Sequence, residues 1–184
     1  VGKWEGPAVL DDPQKYSLTG DLTISAKIRT KQPVADLVSK YDWRGKQRGY
    51  VFGIGGEGDK SSVPGHLFFW VSSRAESFHG VTVYGSQPVN DGKEHVVAVE
   101  FVAGKSVRLF VDGIEDKAAK TSGAPPSFIA KSSRPLAIGS GYNSSPKANA
   151  YRFEGELSDV RLSDQAVGDQ LTIGAAGKQV ADLQ

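Results

Sequence analysis

The sequence predicts an all-β fold of antiparallel strands. Residues 91–113 (DGKEHVVAVEFVAGKSVRLFVDG) open on Asp91-Gly92, close on Asp112-Gly113 and hold two runs of alternating apolar and polar residues. Val97, Val99 and Phe101 recur with period two, and so do Val107, Leu109 and Val111, the pattern of two strands that each bury one face. The connection between them, Ala103-Gly104-Lys105, suits a hairpin, so the strands pair antiparallel. A ribbon alone is marginal in water, and the rest of the chain must supply the sheet it joins. The 22 Gly and 9 Pro agree with a chain that turns often.

The remaining elements follow in order. Residues 1–21 are a lead-in with turn signals at Asp11-Asp12-Pro13 and Gly20-Asp21, a short strand at Val9-Leu10, and Trp4 as a lid over one core edge. In 22–29, Leu22, Ile24, Ala26 and Ile28 alternate with Thr23, Ser25, Lys27 and Arg29, which predicts one buried and one solvated face. Residues 34–41 and 49–54 read as strands separated by the loop Asp42–Arg48. A Gly-, Ser- and charge-rich loop spans 55–65, and strands follow at 66–73 and 80–84. In HLFFWVSS, Leu67, Phe69 and Val71 face one way and Phe68 and Trp70 the other, with Tyr84 expected beside Trp70. Beyond the ribbon come a long stretch over 116–134, a strand at 135–139, the loop 140–150 and a last strand at 151–162. The tail 164–184 reads as a brief helix, with Val167, Leu171, Gly174 and Val180 as its apolar stripe, or as a linker.

Several of these segments carry a likeness. The pattern DG-x-(bulky)-H-x-V-A-V followed by V-R-L-F-V-D-G resembles the laminin-G-like, concanavalin-A-like jelly roll. Pro135–Gly139 is similar to that family's apolar-x-Ile-Gly strand, Phe153–Leu162 to its F-x-G-x-I-D-(D/E)-V-R-I segment, and Leu22–Ile28 to its F-T-I-S-A-W-(V/I) strand. The resemblance covers most of 18–165 and implies a single domain over 1–184, built as a two-sheet antiparallel jelly-roll sandwich. The expected core includes Leu22, Ile24, Leu37, Val51 or Phe52, Leu67, Phe69, Val97, Val99, Leu109, Val111, Ile138 and Val160. It also implies a structural Ca²⁺ held by an acid in the last strand. Here that position is Ser158, with Asp159 one residue on and expected on the opposite face, so no metal and no cofactor is assigned.

Composition narrows the function. With 22 Lys and Arg against 21 Asp and Glu, bulk charge does not favour nucleic acid as a partner. No Cys is present, which excludes disulfides and thiolate sites. No apolar run reaches the roughly 18 residues that cross a bilayer, so membrane insertion is not expected. With no Met even at position 1, the chain reads as a mature or excised segment of a longer protein; that the parent is secreted or cell-surface, and bacterial, is an expectation that goes with the resemblance.

No catalytic residue is assigned. Hydrolases of this jelly-roll type align carboxylates on one strand, as in E-x-D-x-x-E, and this chain has no such segment. Glu154, Glu156 and Asp159 read as solvated strand positions. His95 is expected to hydrogen-bond within the sheet, His66 begins a strand, and His79 lies in a loop; their spacing matches no zinc motif. The glycines at 53, 55, 56 and 58 read as a turn, since no strand-to-helix context follows them.

What remains is a binding surface. Sugar recognition needs aromatic rings that stack on pyranose C–H faces, beside planar polar groups that pair with hydroxyls. Trp43, Arg44, Arg48, Trp70, His79, Tyr84, Tyr142 and Asn143 supply those types. The expected function is a non-catalytic, lectin-like carbohydrate-binding module whose partners are a polysaccharide or glycan and the other domains of its parent. The alternative is a protein-interaction or spacer domain of an extracellular protein, with the aromatics buried at domain junctions.

Overall fold

The computed structural model describes residues 6–56, 60–166 and, for the backbone, 179–183. Its strands are β1 (Ala8–Leu10), β2 (Leu22–Arg29), β3 (Ala35–Asp42), β4 (Gln47–Ile54), β5 (His66–Ser72), β6 (Gly80–Pro88), β7 (Glu94–Val102), β8 (Ser106–Val111), β9 (Ile114–Glu115), β10 (Lys120–Gly123), β11 (Leu136–Ile138), β12 (Glu156–Ser163) and β13 (Gln179–Leu183). They form a seven-stranded sheet, β1-β11-β3-β4-β5-β6-β10, and a six-stranded sheet, β13-β12-β2-β7-β8-β9. Every pairing is antiparallel, and the two sheets stack as the expected sandwich.

The 91–113 ribbon forms as its alternation predicts. Val97 lies opposite Val111, Val99 opposite Leu109 and Phe101 opposite Val107. On its other edge β7 pairs with β2, placing Ile24 against Val99 and Ala26 against Val97. These side chains meet Leu37, Phe52, Leu67, Phe69, Val81 and Val83 of the facing sheet in one buried core. Phe69 and Phe101 bridge the sheets with ring centroids 6.4 Å apart. Burial of each such side chain contributes roughly 1.5–3 kcal/mol.

Several expectations need correction. The choice between Val51 and Phe52 falls to Phe52; Val51 is buried on the opposite face. The loop between β3 and β4 shrinks to residues 43–46, because Asp42 pairs with Gln47 and Tyr41 with Arg48. The last strand begins at Glu156, not 151, and the stretch 116–134 contains β10, which pairs with β6. Val180, expected on a helix, lies in β13, which hydrogen-bonds to β12 and covers an otherwise open sheet edge. No helix occurs among the described residues. Trp4, Gly58, Val167, Leu171 and Gly174 lie outside them.

Candidate functional site

Strand β5 is apolar on both faces. Its inner residues fill the core, while Phe68 and Trp70 face outward and join Tyr41, Val51, Tyr84 and Phe78 in a second cluster on the outer face of the seven-stranded sheet. Phe68 and Trp70 rings lie 5.1 Å apart, and Tyr41 meets Trp70 edge-on at 5.8 Å. The Trp70 Nε1–H donates to Tyr84 Oη at 2.8 Å, which satisfies the indole's one polar group and fixes its plane. Glycines make room for this floor. A Cβ on Gly53 would lie 2.7 Å from Phe68 Cε1, and one on Gly56, held at φ +60°, 3.2 Å from Tyr84 Cε1. The glycine-rich stretch thus seats aromatic rings.

Above the floor opens a cleft of about 680 Å³. Its walls are loops. Trp43 and Arg44 come from the tight β3–β4 turn, Phe78 from the loop between β5 and β6, and Tyr142, Asn143 and Tyr151 from the segment between β11 and β12. Asp36, Lys60, Thr82 and Ser122 add polar groups. Trp43 is 53% exposed, although the Arg48 guanidinium packs 4.7 Å from its ring centroid and Phe78 lies 6.3 Å away.

One buried carboxylate ties the walls together. Asp42 Oδ1 accepts from the Gly45 N–H at 2.8 Å and the Ser144 N–H at 2.9 Å, while Oδ2 accepts from Arg134 Nε at 3.1 Å and Nη2 at 2.7 Å. Its side chain is fully buried and that of Arg134 is partly buried. Gly45 is required here, because a Cβ would collide with the Asp42 carboxylate. Arg134 also covers the Tyr142 ring at 5.5 Å, and Tyr142 Oη donates to Pro135 O at 2.9 Å. Burial pushes the Tyr142 phenol up to about 12, so it stays a neutral donor. Lys40 Nζ, donating to Arg134 O at 2.6 Å and Pro13 O at 3.0 Å, anchors the same segment from behind.

Of the residues singled out from sequence, Trp43, Arg44, Trp70, Tyr142 and Asn143 line this cleft. Arg48 and Tyr84 are buried behind it, where they support Trp43 and Trp70. His79 is exposed and lies outside the lining, with its Nδ1 3.0 Å from Ser73 Oγ; its neighbour Phe78 reaches the cleft instead. Asp36, Tyr41, Val51, Lys60, Phe68, Thr82, Ser122 and Tyr151 were not anticipated as lining residues. For Phe68 the signal was present in its alternation with Trp70. For Ser122 there was none, since only the β10–β6 pairing brings it close.

Among the described residues that line the cleft, Asp36 is the one carboxylate, so the acid pair that glycoside hydrolysis needs is not assembled there. Of the other acids weighed above, Glu154 precedes β12 and is not a strand residue, while Asp159 and Glu156 lie on the six-stranded sheet, where Asp159 binds Lys27 Nζ at 2.9 Å and Glu156 approaches Arg29 at 3.7 Å. His95 sits between Asp112 at 2.9 Å and Asp91 at 3.2 Å. Burial works against its charge, but the two carboxylates outweigh burial and raise its pKa.

A calcium ion of the kind the resemblance implies does not fit the last strand. Ser158 offers only a hydroxyl, and the Asp159 carboxylate already holds an ammonium. Asp159 also stands at a bulge, with φ +49°, between the paired positions Ser158 and Arg161. No group of three or more His, Asp or Glu that could hold a metal gathers among the described residues.

Comparison with known proteins agrees with this architecture. Residues 5–170 match the family described as the Concanavalin A-like lectin/glucanases superfamily. No curated protein matches the chain by sequence. Among solved structures, a candidate carbohydrate-binding protein from Bacteroides ovatus is 14% identical with a TM-score of 0.64, over 91% of this chain and 43% of that one. The Ruminococcus gnavus IT-sialidase CBM40 bound to α2,3-sialyllactose is 16% identical with a TM-score of 0.62, over 94% of each chain. Domains LG4-5 of the mouse laminin α1 chain are 22% identical with a TM-score of 0.55, over 91% of this chain and 43% of that one. At such identities the likeness concerns the fold.

Proposed function

This chain belongs to the concanavalin A-like lectin/glucanases superfamily, and from that premise we propose that it is a non-catalytic carbohydrate-binding module of a larger secreted or cell-surface protein. The observation that carries the proposal is the half-exposed Trp43 ring standing over a cleft with an aromatic floor and polar walls. The ring continues the aromatic floor through Phe78, and a contiguous exposed apolar surface of this kind marks a binding groove. The ring offers a stacking face for a pyranose, while Asn143, Thr82, Ser122 and Tyr151 supply groups that can pair with hydroxyls. Solved neighbours described as carbohydrate-binding or bound to sialyllactose support the same reading. No described helix is long and apolar enough to cross a membrane.

Titration of intrinsic tryptophan fluorescence with a panel of polysaccharides tests it. Quenching or a blue shift with one glycan, lost in Trp43→Ala, is the expected result; silence across the panel argues against the module. The second reading is a protein-interaction or spacer domain. Ile114 at 71% and Phe128 at 52% exposure favour it, as large apolar side chains that lie away from the cleft and suit contact with another domain.

A further inference from the structure

Building on the sugar-binding reading, we infer that the cleft receives an anionic sugar, one whose carboxylate or sulfate is held by Arg44 and Lys60 beside the Trp43 ring. The charged side chains of the lining are Arg44, Lys60 and Asp36. Arg44 and Lys60 are exposed and form no ion pair with any described residue. Asp36 is buried, and its carboxylate is pressed against the backbone of Gly141, where a Cβ would collide with it. A further cation, Arg48, lies buried behind Trp43; its Nη1 donates to the neutral Ala75 carbonyl at 2.9 Å, and its Nε has no hydrogen-bond partner among the described residues. Among the described residues, the cations at the cleft outnumber its one carboxylate, and one of them, Arg48, packs 4.7 Å from the Trp43 ring centroid.

Two other arginines that pack on aromatic rings, Arg134 on Tyr142 and Arg108 on Phe110, carry carboxylate partners. Arg134 is neutralised by Asp42 at 2.7 Å, Arg108 by Glu100 at 2.7 Å and Lys27 by Asp159 at 2.9 Å. With 22 basic and 21 acidic residues in the chain, counterions are not scarce. Among the described residues, the cleft brings Arg44 and Lys60 to an aromatic surface with neither of them ion-paired. A guanidinium presents a planar fork that matches a carboxylate or sulfate in two parallel hydrogen bonds. Beside aromatic walls, which exclude water, such a contact gains strength over its value in bulk solvent. A neutral sugar would stack on Trp43 equally well and its hydroxyls could accept from Arg44, but it would leave the positive charge uncompensated.

Two matched pairs test the inference by calorimetry on the 184-residue chain. Sialyllactose against lactose probes a carboxylate, and a sulfated galactan oligosaccharide against its desulfated form probes a sulfate. In at least one pair the acidic member should bind about tenfold or more tightly than the neutral one, the margin of one charge-assisted hydrogen bond. That preference should shrink several-fold between 50 and 500 mM NaCl, as expected of about one screened contact. It should collapse in the Arg44→Gln, Lys60→Gln double variant, whose melting temperature serves as the check on folding. Equal affinity for acidic and neutral members, still abolished by Trp43→Ala, would overturn the anionic inference and leave the sugar-binding reading standing. An acidic preference that survives the double variant would overturn the assignment to Arg44 and Lys60. Absence of binding to both pairs and to every glycan of a broad array would overturn both readings together.

Discussion

The two faces of β5 use the same residue types to different ends. Leu67, Phe69 and Val71 point inward and are covered by a second sheet, whereas Phe68 and Trp70 point outward into a smaller cluster roofed by loops, which bury Phe68 but leave Trp70 partly open to the cleft. Inward burial is general: any well-packed partner side chain would do, and stability is what it yields. Outward burial is specific. It depends on glycines that admit rings, on a hydrogen bond between Trp70 and Tyr84, and on the Asp42–Arg134 ion pair that ties the walls together. The inner face should answer to stability measurements and the outer face to ligand.

Substitutions on either side sharpen that contrast. Phe69→Ala removes a fully buried ring from between the sheets and should cost about 3–5 kcal/mol in urea unfolding, while Trp70→Ala, one residue along, should cost about half as much. Equal costs would mean that the outer cluster is a second core. Asp42→Ala leaves the partly buried Arg134 without its counterion and releases the turn at Gly45 and the loop at Ser144; a loss of about 2 kcal/mol is expected by the same measurement. Trp43→Ala should change stability by less than about 1 kcal/mol, since its ring is half-exposed and lies outside both core clusters, yet abolish glycan binding.

The smallest effect belongs to the ribbon. His95 has a folded pKa raised above 6.5, so its stabilisation is complete below pH 6.5 and is lost as pH rises through the folded value. Asp91 and Asp112 have lowered values, Asp91 to about 2, and their contribution is complete above pH 3.8 and fades as pH falls toward 2. Melting temperature should therefore peak between those limits. His95→Gln should flatten the decline on the alkaline side and leave the cleft's ligand affinity unchanged, because His95 lies on the other sheet.

Much of this was legible in the chain before folding was considered. Period-two alternation placed β2, β5, β7 and β8 and told their faces apart, because a side chain's face in a strand follows from parity alone. It fails where parity is broken. Bulges between Asp36 and Val38 and between Ser39 and Tyr41 let Leu37 and Val38 both enter the core, so the faces of β3, and Tyr41 as a floor residue, could not be read from alternation. The cleft was half legible. Trp43 stood out because a tryptophan in a cationic loop has no core to enter, and Trp70 stood out by parity. Asp42 did not, since its partners Arg134 and Ser144 lie 92 and 102 residues away and only the folded chain joins them. Arg48 and Tyr84 have the right chemistry for a ligand, but strand pairing buries them beneath the residues that face it.

The most direct test of the outer face as a sugar-binding surface is a glycan array probed with the wild-type chain beside Trp43→Ala, with a thermal melt of each. A defined set of glycans bound by the wild type and lost in the variant, at nearly unchanged melting temperature, is the result this account predicts. Binding to no glycan by a folded wild-type chain, or binding that Trp43→Ala leaves intact, would contradict it.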